Sequence, residues 1–151
     1  MGVLHLSQAT EDAPTIIEGT LQGLTPGKHG IHVCTYGDMS DGGATSCGPI
    51  FNPFGRTHGA PENHIDQRMV GDLGNVICQV PDGAGDSAEA TCVVKISDPV
   101  INLMGPHSII GRSLVLYAGE DDCGRGGHEN SLTTGNPGPR IGSGVIGLAK
   151  S

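Results

Sequence analysis

Two residues with metal-binding side chains, His32 and Cys34, lie two positions apart in the segment HGIHVC, residues 29–34. In a β-strand, successive side chains point to opposite faces of the sheet. His32 and Cys34 would therefore share one face, while Ile31 and Val33 share the other and are expected to pack in a core. The segment thus predicts a strand with one core face and one face that could bind a metal ion.

The segment after this strand, residues 35–72, is rich in glycine and proline. Its residues of the types that bind metals include His58, His64, Met69 and Asp72. Loops longer than about 15 residues without regular secondary structure are usually functional or disordered. A loop that begins at a His-x-Cys strand and is dense in such residues favours a metal site.

The rest of the chain has the pattern of short strands joined by turns. Its 151 residues include 26 glycines and 10 prolines, which weaken long helices. Short alternating apolar runs, such as residues 15–21 and 108–117, are separated by turn dipeptides. A turn-rich hairpin tip is predicted over residues 81–87. We therefore expect an all-β sandwich or barrel in one domain, residues 1–151.

The charge and hydropathy of the chain exclude several classes of partner. Its formal net charge of -8 argues against nucleic acid and against an anionic membrane surface. No apolar run approaches the ~20 residues of a membrane span. No signal peptide is visible at Met1, so a cytoplasmic location is expected.

The chain has five cysteines, so at least one is unpaired within a monomer. They are Cys34, Cys47, Cys78, Cys92 and Cys123. Buried thiols in a reducing compartment are the favoured interpretation. A disulfide between two of them is the alternative, and it needs a proximity that sequence does not supply.

Eight segments together carry a family resemblance: LTPGKHGIHV, YGD, GPIFNPFGRTHGAP, VGDLGNV, IIGRSLVLY, DDCGRGGHENS, TGNPGPR and GVIGLA. Through them, and in the same order, the chain resembles copper-zinc superoxide dismutase from about residue 2 to residue 150. The resemblance implies a Greek-key β-barrel with two long loops, near residues 39–72 and 119–140. The family's first strand has no counterpart, because residues 2–6 match its second strand. A barrel without that strand has unpaired edges, so either the chain is a fragment or the edge is covered by a partner or by another segment.

The resemblance places a degenerate copper site on the strand described first. Where the family has four copper-binding histidines, this chain has His32, Cys34, Ile50 and Tyr117. Ile50 has no lone pair, although its position would bridge copper to zinc. Tyr117 would have to ionise from a pKa of about 10, and the thiolate of Cys34 favours Cu(I) over Cu(II). Copper is therefore a doubtful cofactor.

The zinc positions are also incomplete. They correspond to Ile50, His58, Met69 and Asp72. His64 lies in the same loop and could supply a third donor, so that His58, His64, Asp72 and water would form an open zinc site. The favoured alternative is that His58 and Asp72 only form hydrogen bonds, because a closed structural site needs four ligands. Zinc is the cofactor that these residues could still bind.

The second long loop keeps part of the family's pattern. Arg140 matches the catalytic arginine beside copper, whereas Thr133 stands where the family has a lysine that attracts superoxide. Asp121 matches an aspartate that joins the two metal sites, and its implied partners, His32 and His58, are both present.

Two further features of the family bear on assembly. Ala44 and Ser143 replace the cysteines of its intrasubunit disulfide. Segments at residues 37–38, 110–112 and 144–147 match its homodimer contact. The implied partner is a second copy of the chain, or a superoxide dismutase in a heterodimer.

Three functions are open from the sequence, and whether the chain is an enzyme is uncertain. The first is a superoxide dismutase-like protein with little or no dismutase activity, which acts by binding or regulation. The second is an active superoxide dismutase with altered metal ligands. The third is a docking domain like that of copper chaperones, although the chain lacks the CxxC domain and the terminal CxC of those proteins.

Overall fold

A computed structural model of the protein describes residues 1–85 and 88–150. Asp86 and Ser87, in the predicted hairpin tip, and Ser151, at the end of the predicted domain, lie outside the described residues. The described chain forms seven strands and one short 3-10 helix: β1 (Gly2–Gln8), β2 (Thr15–Leu24), β3 (Gly27–Cys34), η1 (Ile65–Gln67), β4 (Asp72–Gln79), β5 (Ala90–Asp98), β6 (Ser113–Tyr117) and β7 (Arg140–Val145).

All seven strands belong to one antiparallel sheet in the order β1-β2-β5-β4-β3-β6-β7. The connections from β2 to β3 and from β5 to β6 cross over other strands, as in Greek-key folds. The sheet curls so that its two edge strands, β1 and β7, line a common groove of about 620 Å³. The predicted all-β class is confirmed. No helix in residues 1–85 and 88–150 is long and apolar enough to span a membrane.

Strand β3 lies inside the sheet and has both faces covered, as its alternating sequence predicts. Ile31 and Val33 are fully buried in the main apolar core. On the other face His32 and Cys34 are also fully buried, beneath the two long loops. Cys34 packs there in a second apolar cluster with Cys47, Val115, Tyr117 and Met39. The core therefore fixes the register of β3, and that register fixes which side chains enter the site.

A disulfide joins β4 to β5, so the favoured interpretation of the cysteines as thiols is wrong for Cys78 and Cys92. Cys78 and Cys92 are directly opposed in the two strands and bonded to each other, and both are buried in the main core. The remaining cysteines of the described chain are free thiols. At the position where the family has its own disulfide, the Ser143 hydroxyl donates instead to the Gly42 carbonyl at 3.0 Å. A hydrogen bond thus still links the first long loop to β7.

A buried ion pair fixes the first long loop to the end of β5. The Arg68 guanidinium is 1 % exposed and donates to both carboxylate oxygens of Asp98, at 2.6 and 3.3 Å. It also donates to the carbonyls of Pro61 and Val70. Since each of these groups is paired, the loop enters β4 at a defined position.

Candidate functional site

The candidate site lies on the outer face of β3, β4 and β6, beneath the two long loops. Strand β3 supplies His32 and Cys34, and the end of β6 supplies Tyr117. Ile50, in the first loop, forms an isolated bridge with Cys34 that brings it over the strand. The second loop ends at Arg140, the first residue of β7. The fold therefore gathers residues that are far apart in the chain.

Four buried side chains form a continuous row of hydrogen bonds through the site. His32 Nε2 donates to Asp121 Oδ2 at 2.7 Å. His58 donates in two directions, from Nε2 to Asp121 Oδ1 at 2.7 Å and from Nδ1 to Asp72 Oδ1 at 2.6 Å. All four side chains are completely shielded from solvent. The row joins β3, the two long loops and the start of β4.

His58 is an imidazolium in this row, because each of its two ring nitrogens donates to a carboxylate. Burial opposes its charge and lowers the pKa, but the hydrogen bonds to Asp121 and Asp72 outweigh burial and raise it to about 9. Burial likewise raises the pKa of Asp121, and the hydrogen bonds from His32 and His58 outweigh it and lower that pKa to about 2. The row is therefore an alternation of charges, carboxylate–imidazolium–carboxylate.

Two residues that sequence reasoning missed hold the central carboxylate in place. The Asn75 side chain donates to the Asp121 carbonyl at 2.9 Å and accepts from the Asp121 backbone N–H at 2.7 Å. Gly135, at φ +79°, lies so close that a Cβ there would collide with the carboxylate of Asp121 and the ring of His58. Asn75 lies in VGDLGNV and Gly135 in TGNPGPR, so the family motifs were the available signal.

The copper-like end of the site consists of neutral or apolar groups around His32. The Nδ1 atom of His32 is buried and has no hydrogen-bond partner. Burial raises the pKa of the Cys34 thiol to about 11 despite the nearby charge of Arg140. Burial and the neighbouring Cys34 also raise the pKa of Tyr117. The thiol and phenol lie 3.8 Å apart, and Ile50 next to them is 5 % exposed.

Arg140 lies at the edge of this end of the site. Its Nη2 donates to the Gly48 carbonyl at 2.6 Å, whereas its Nη1 is buried and has no hydrogen-bond partner. Arg140 is one of the residues that line a pocket of about 770 Å³, here called the Arg140 pocket, together with Ile50, Met69 and Tyr117. The second loop contributes its polar rim, which includes Thr133 and Thr134.

The geometry agrees with a family comparison that covers nearly the whole chain. The family model described as copper/zinc superoxide dismutase (SODC) matches residues 1–146. The chain belongs to this family. The predicted membership is therefore confirmed, and the seven-stranded antiparallel sheet is consistent with the β-barrel of superoxide dismutases.

A copper ion of the superoxide dismutase type does not fit the donors around His32. Metal ligands must be deprotonated, and the environment of Cys34 and Tyr117 favours their protonated forms. Ile50 offers no donor. The free Nδ1 atom of His32 is thus the single ready ligand at this end of the site.

Ligand-type residues from both ends of the site are bonded to one another. In the described chain, one group of three or more such residues has its ligand atoms close together: His32, His58 and Asp121, within 4.8 Å. This group could hold a metal ion after losing protons. His58 and Asp72 do meet, through the hydrogen bond described above. His64 lies apart, with a side chain 69 % exposed beside Asp66, and its predicted role as a ligand stays a prediction.

Proposed function

We propose that this member of the superoxide dismutase family does not turn over superoxide at a significant rate and acts by binding. The observation that carries the proposal is the composition of the copper-like end. One imidazole remains there, beside a thiol and a phenol whose pKa values are raised by burial and beside the apolar Ile50. Dismutation needs an ion that alternates between Cu(I) and Cu(II), and a single ready nitrogen ligand holds neither state firmly.

The test is superoxide turnover after reconstitution with copper and zinc. We expect no activity above that of the buffer blank once unbound copper has been removed by dialysis, because the thiol and phenol must lose buried protons before they can bind the ion. The His32→Ala variant should then match the unaltered protein. Turnover close to that of an active dismutase, abolished in His32→Ala, would overturn the proposal and favour the alternative of an active enzyme with altered ligands.

Zinc, if the protein binds it, is proposed to use His58 and Asp72. Zinc would have to replace the proton on His58 Nδ1, which now donates to Asp72 Oδ1. Zinc loading of the unaltered protein and of His58→Ala, followed by elemental analysis, tests this assignment. The same comparison with His64→Ala tests the third ligand. Equal zinc content in all three proteins would contradict both assignments.

The proposed partner is a second copy of the chain. The segments that match the family's dimer contact lie side by side, since Gly37 packs directly against Gly111 and the Val145 side chain. Two apolar residues of this surface are open to solvent, Ile110 at 40 % and Val145 at 52 % exposed. Adjacent exposed apolar residues are typical of interaction surfaces.

Sedimentation velocity over a range of protein concentrations tests this partner. We expect a dimer that the Val145→Asp variant converts to monomer, with Leu132→Asp, at an exposed apolar residue outside this surface, as control. A monomer at all concentrations would contradict the homodimer. Mixing with an active superoxide dismutase would then test the heterodimer.

A further inference from the structure

The two edge strands of the sheet line one groove and run in the same direction. Neighbouring strands in the order β1-β2-β5-β4-β3-β6-β7 are all antiparallel, so strand direction alternates and the seventh strand points the same way as the first. The groove between β1 and β7 has a volume of about 620 Å³. One further strand in this groove, running the opposite way, would pair antiparallel with both edges at once.

Backbone groups of β1 point into the groove. Met1 and Gln22, which lie opposite each other, donate to each other's carbonyl. Hydrogen-bonded and non-hydrogen-bonded pairs alternate along an antiparallel ladder. The N–H and C=O groups of Leu4 and Leu6 are therefore directed away from β2, towards the gap.

The other edge, on β7, presents a matching row. The Ile146 N–H donates to the Arg112 carbonyl, beside the start of β6. By the same alternation, Ser143 and Val145 direct their N–H and C=O groups away from β6. An extended peptide carries the regularly spaced donors and acceptors that these two rows need, whereas a small apolar molecule does not.

The inner face of β7 leaves room for the side chains of such a strand. Gly142 and Gly144 lie opposite Leu116 and Leu114 of β6, and all four residues line the groove. A Cβ on Gly144 would meet no atom within 4 Å, and a Cβ on Gly142 would come no closer than 3.8 Å to Leu116. Glycine inside a strand often marks a place where another backbone or a ligand approaches closely.

The chemistry of the lining indicates which segment fits. No lysine, arginine, aspartate or glutamate is among the described residues that line the groove, although 16 % of the chain consists of these residues. Natural sheet edges are usually protected by such charges or by proline. An uncharged, apolar segment therefore matches the lining. A second folded copy of the chain offers edge strands with one free side, so it could pair with β1 or with β7 but not with both.

We propose that the groove between β1 and β7 binds an extended segment of another protein as an additional strand, with apolar side chains directed inward at every second position. A strand residue fills roughly 160 Å³ at the usual spacings of strands and sheets, so the groove accommodates about four residues. The inference goes beyond the proposed function, because it assigns a partner that depends neither on the homodimer nor on the metal positions.

Fluorescence anisotropy of labelled, capped peptides with the metal-free protein tests the proposal. The probe TVTVTVT should bind saturably, with its valines inward. The block peptide VVVTTTT has the same composition and should bind roughly tenfold more weakly or worse, because its valines cannot all face inward. N-methylation of the central valine removes a donor to β1, and N-methylation of the next threonine removes a donor to β7. Each should weaken binding roughly two- to tenfold.

Matched glycine variants show whether the peptide lies in the groove. Gly144→Leu places a side chain in the open space and should weaken binding of TVTVTVT roughly tenfold or more. Gly85→Leu makes the same change outside the groove lining, where a Cβ also meets no atom within 4 Å, and should bind as the unaltered protein does. If Gly144→Leu fails to fold, the N-methylated peptides decide.

Hydrogen exchange shows whether both edges are used. The bound peptide should slow exchange of the amides that point into the groove, which are those of Leu4, Leu6, Ser143 and Val145. The Val3 amide, which is directed towards β2, should change little.

Several results would overturn the proposal. They are the absence of saturable binding, equal affinity for the N-methylated or block peptides, equal affinity in a folded Gly144→Leu variant, and protection of one edge alone. A dimer that Gly144→Leu dissociates, without peptide binding, would assign the groove to a second copy instead. These failures are distinct from failure of the proposed function, which is measured as superoxide turnover of copper-loaded protein.

Discussion

The imidazolium of His58 should make the stability of the metal-free protein fall as pH rises above neutrality. Its pKa is about 9 in the folded protein and 6.5 without the fold, since Asp121 and Asp72 hold the proton in the folded state. A raised pKa adds stability that is fully present below the unfolded value and is lost as pH rises through the folded value. Between pH 6.5 and pH 9 the unfolded chain has lost this proton while the folded chain retains it.

The size of the effect follows from this difference of one proton. Each pH unit in the window costs about 1.36 kcal/mol per proton, so an interval of two units costs about 2–3 kcal/mol. The interval from pH 6.5 to 8.5 is the useful one. Above pH 8.5 the thiols of Cys34 and Cys123 lower the free energy of unfolding further, because burial raises the pKa of each from 9.0 to about 11.

Urea unfolding followed by circular dichroism, at several pH values after dialysis against a chelator, measures the slope. The His58→Gln variant should be less stable at every pH. In this interval the dependence of its unfolding free energy on pH should be smaller than that of the unaltered protein by the contribution of about one proton. His128→Gln, at an exposed loop histidine, should leave the slope unchanged. An identical slope in His58→Gln and in the unaltered protein would refute the assignment of two carboxylate partners to His58.

Three further predictions concern stability. The Asp98→Ala variant should lose about 3–5 kcal/mol of unfolding free energy in urea, because it leaves the Arg68 guanidinium buried and unpaired; an effect below 1 kcal/mol would contradict this. Separating Cys78 from Cys92, by refolding in reductant or by replacing both with alanine, should cost about 3 kcal/mol for a bridge with a sequence separation of 14, and calorimetry would detect it as a lower melting temperature. Acidification should remove the stability that ionised Asp121 contributes to the folded protein, which is present above pH 3.8 and is lost as pH falls through about 2. If the free energy of unfolding of the Asp121→Asn variant fell with acidic pH just as that of the unaltered protein does, this prediction would be contradicted.

Local sequence pattern was sufficient to predict the strand that carries the site. Alternation in HGIHVC correctly separates Ile31 and Val33, which are buried in the main core, from His32 and Cys34 on the opposite face. The family motifs added the two long loops, and they added the bridging role of Asp121, which the structure confirms by hydrogen bonds to both of its expected partners.

Contacts between distant segments could not be predicted in the same way. The Arg68–Asp98 pair joins residues 30 positions apart, and neither residue lies in a segment whose periodicity indicates a partner. The Cys78–Cys92 bridge depends on the register of β4 and β5, which share only two paired positions in the described chain. Whether His64 turns towards His58 depends on loop backbone angles, which composition does not determine.

The charge balance of the buried row explains how the two loops can be joined without a metal ion. Asp72 and Asp121 are both buried carboxylates, and two such charges without compensation would repel each other and lose their solvation. The His58 imidazolium lies between them and supplies one positive charge, while the backbone N–H groups of Gly59 and Met69 donate to the outer oxygen of Asp72 at 2.9 and 2.8 Å. A proton on Nδ1 thus holds His58 against Asp72, and a proton on Nε2 holds it against Asp121. It follows that the presence of Ile50 and Met69 at metal-ligand positions of the family does not loosen the loops, since the bonds that hold the loops together pass through His58.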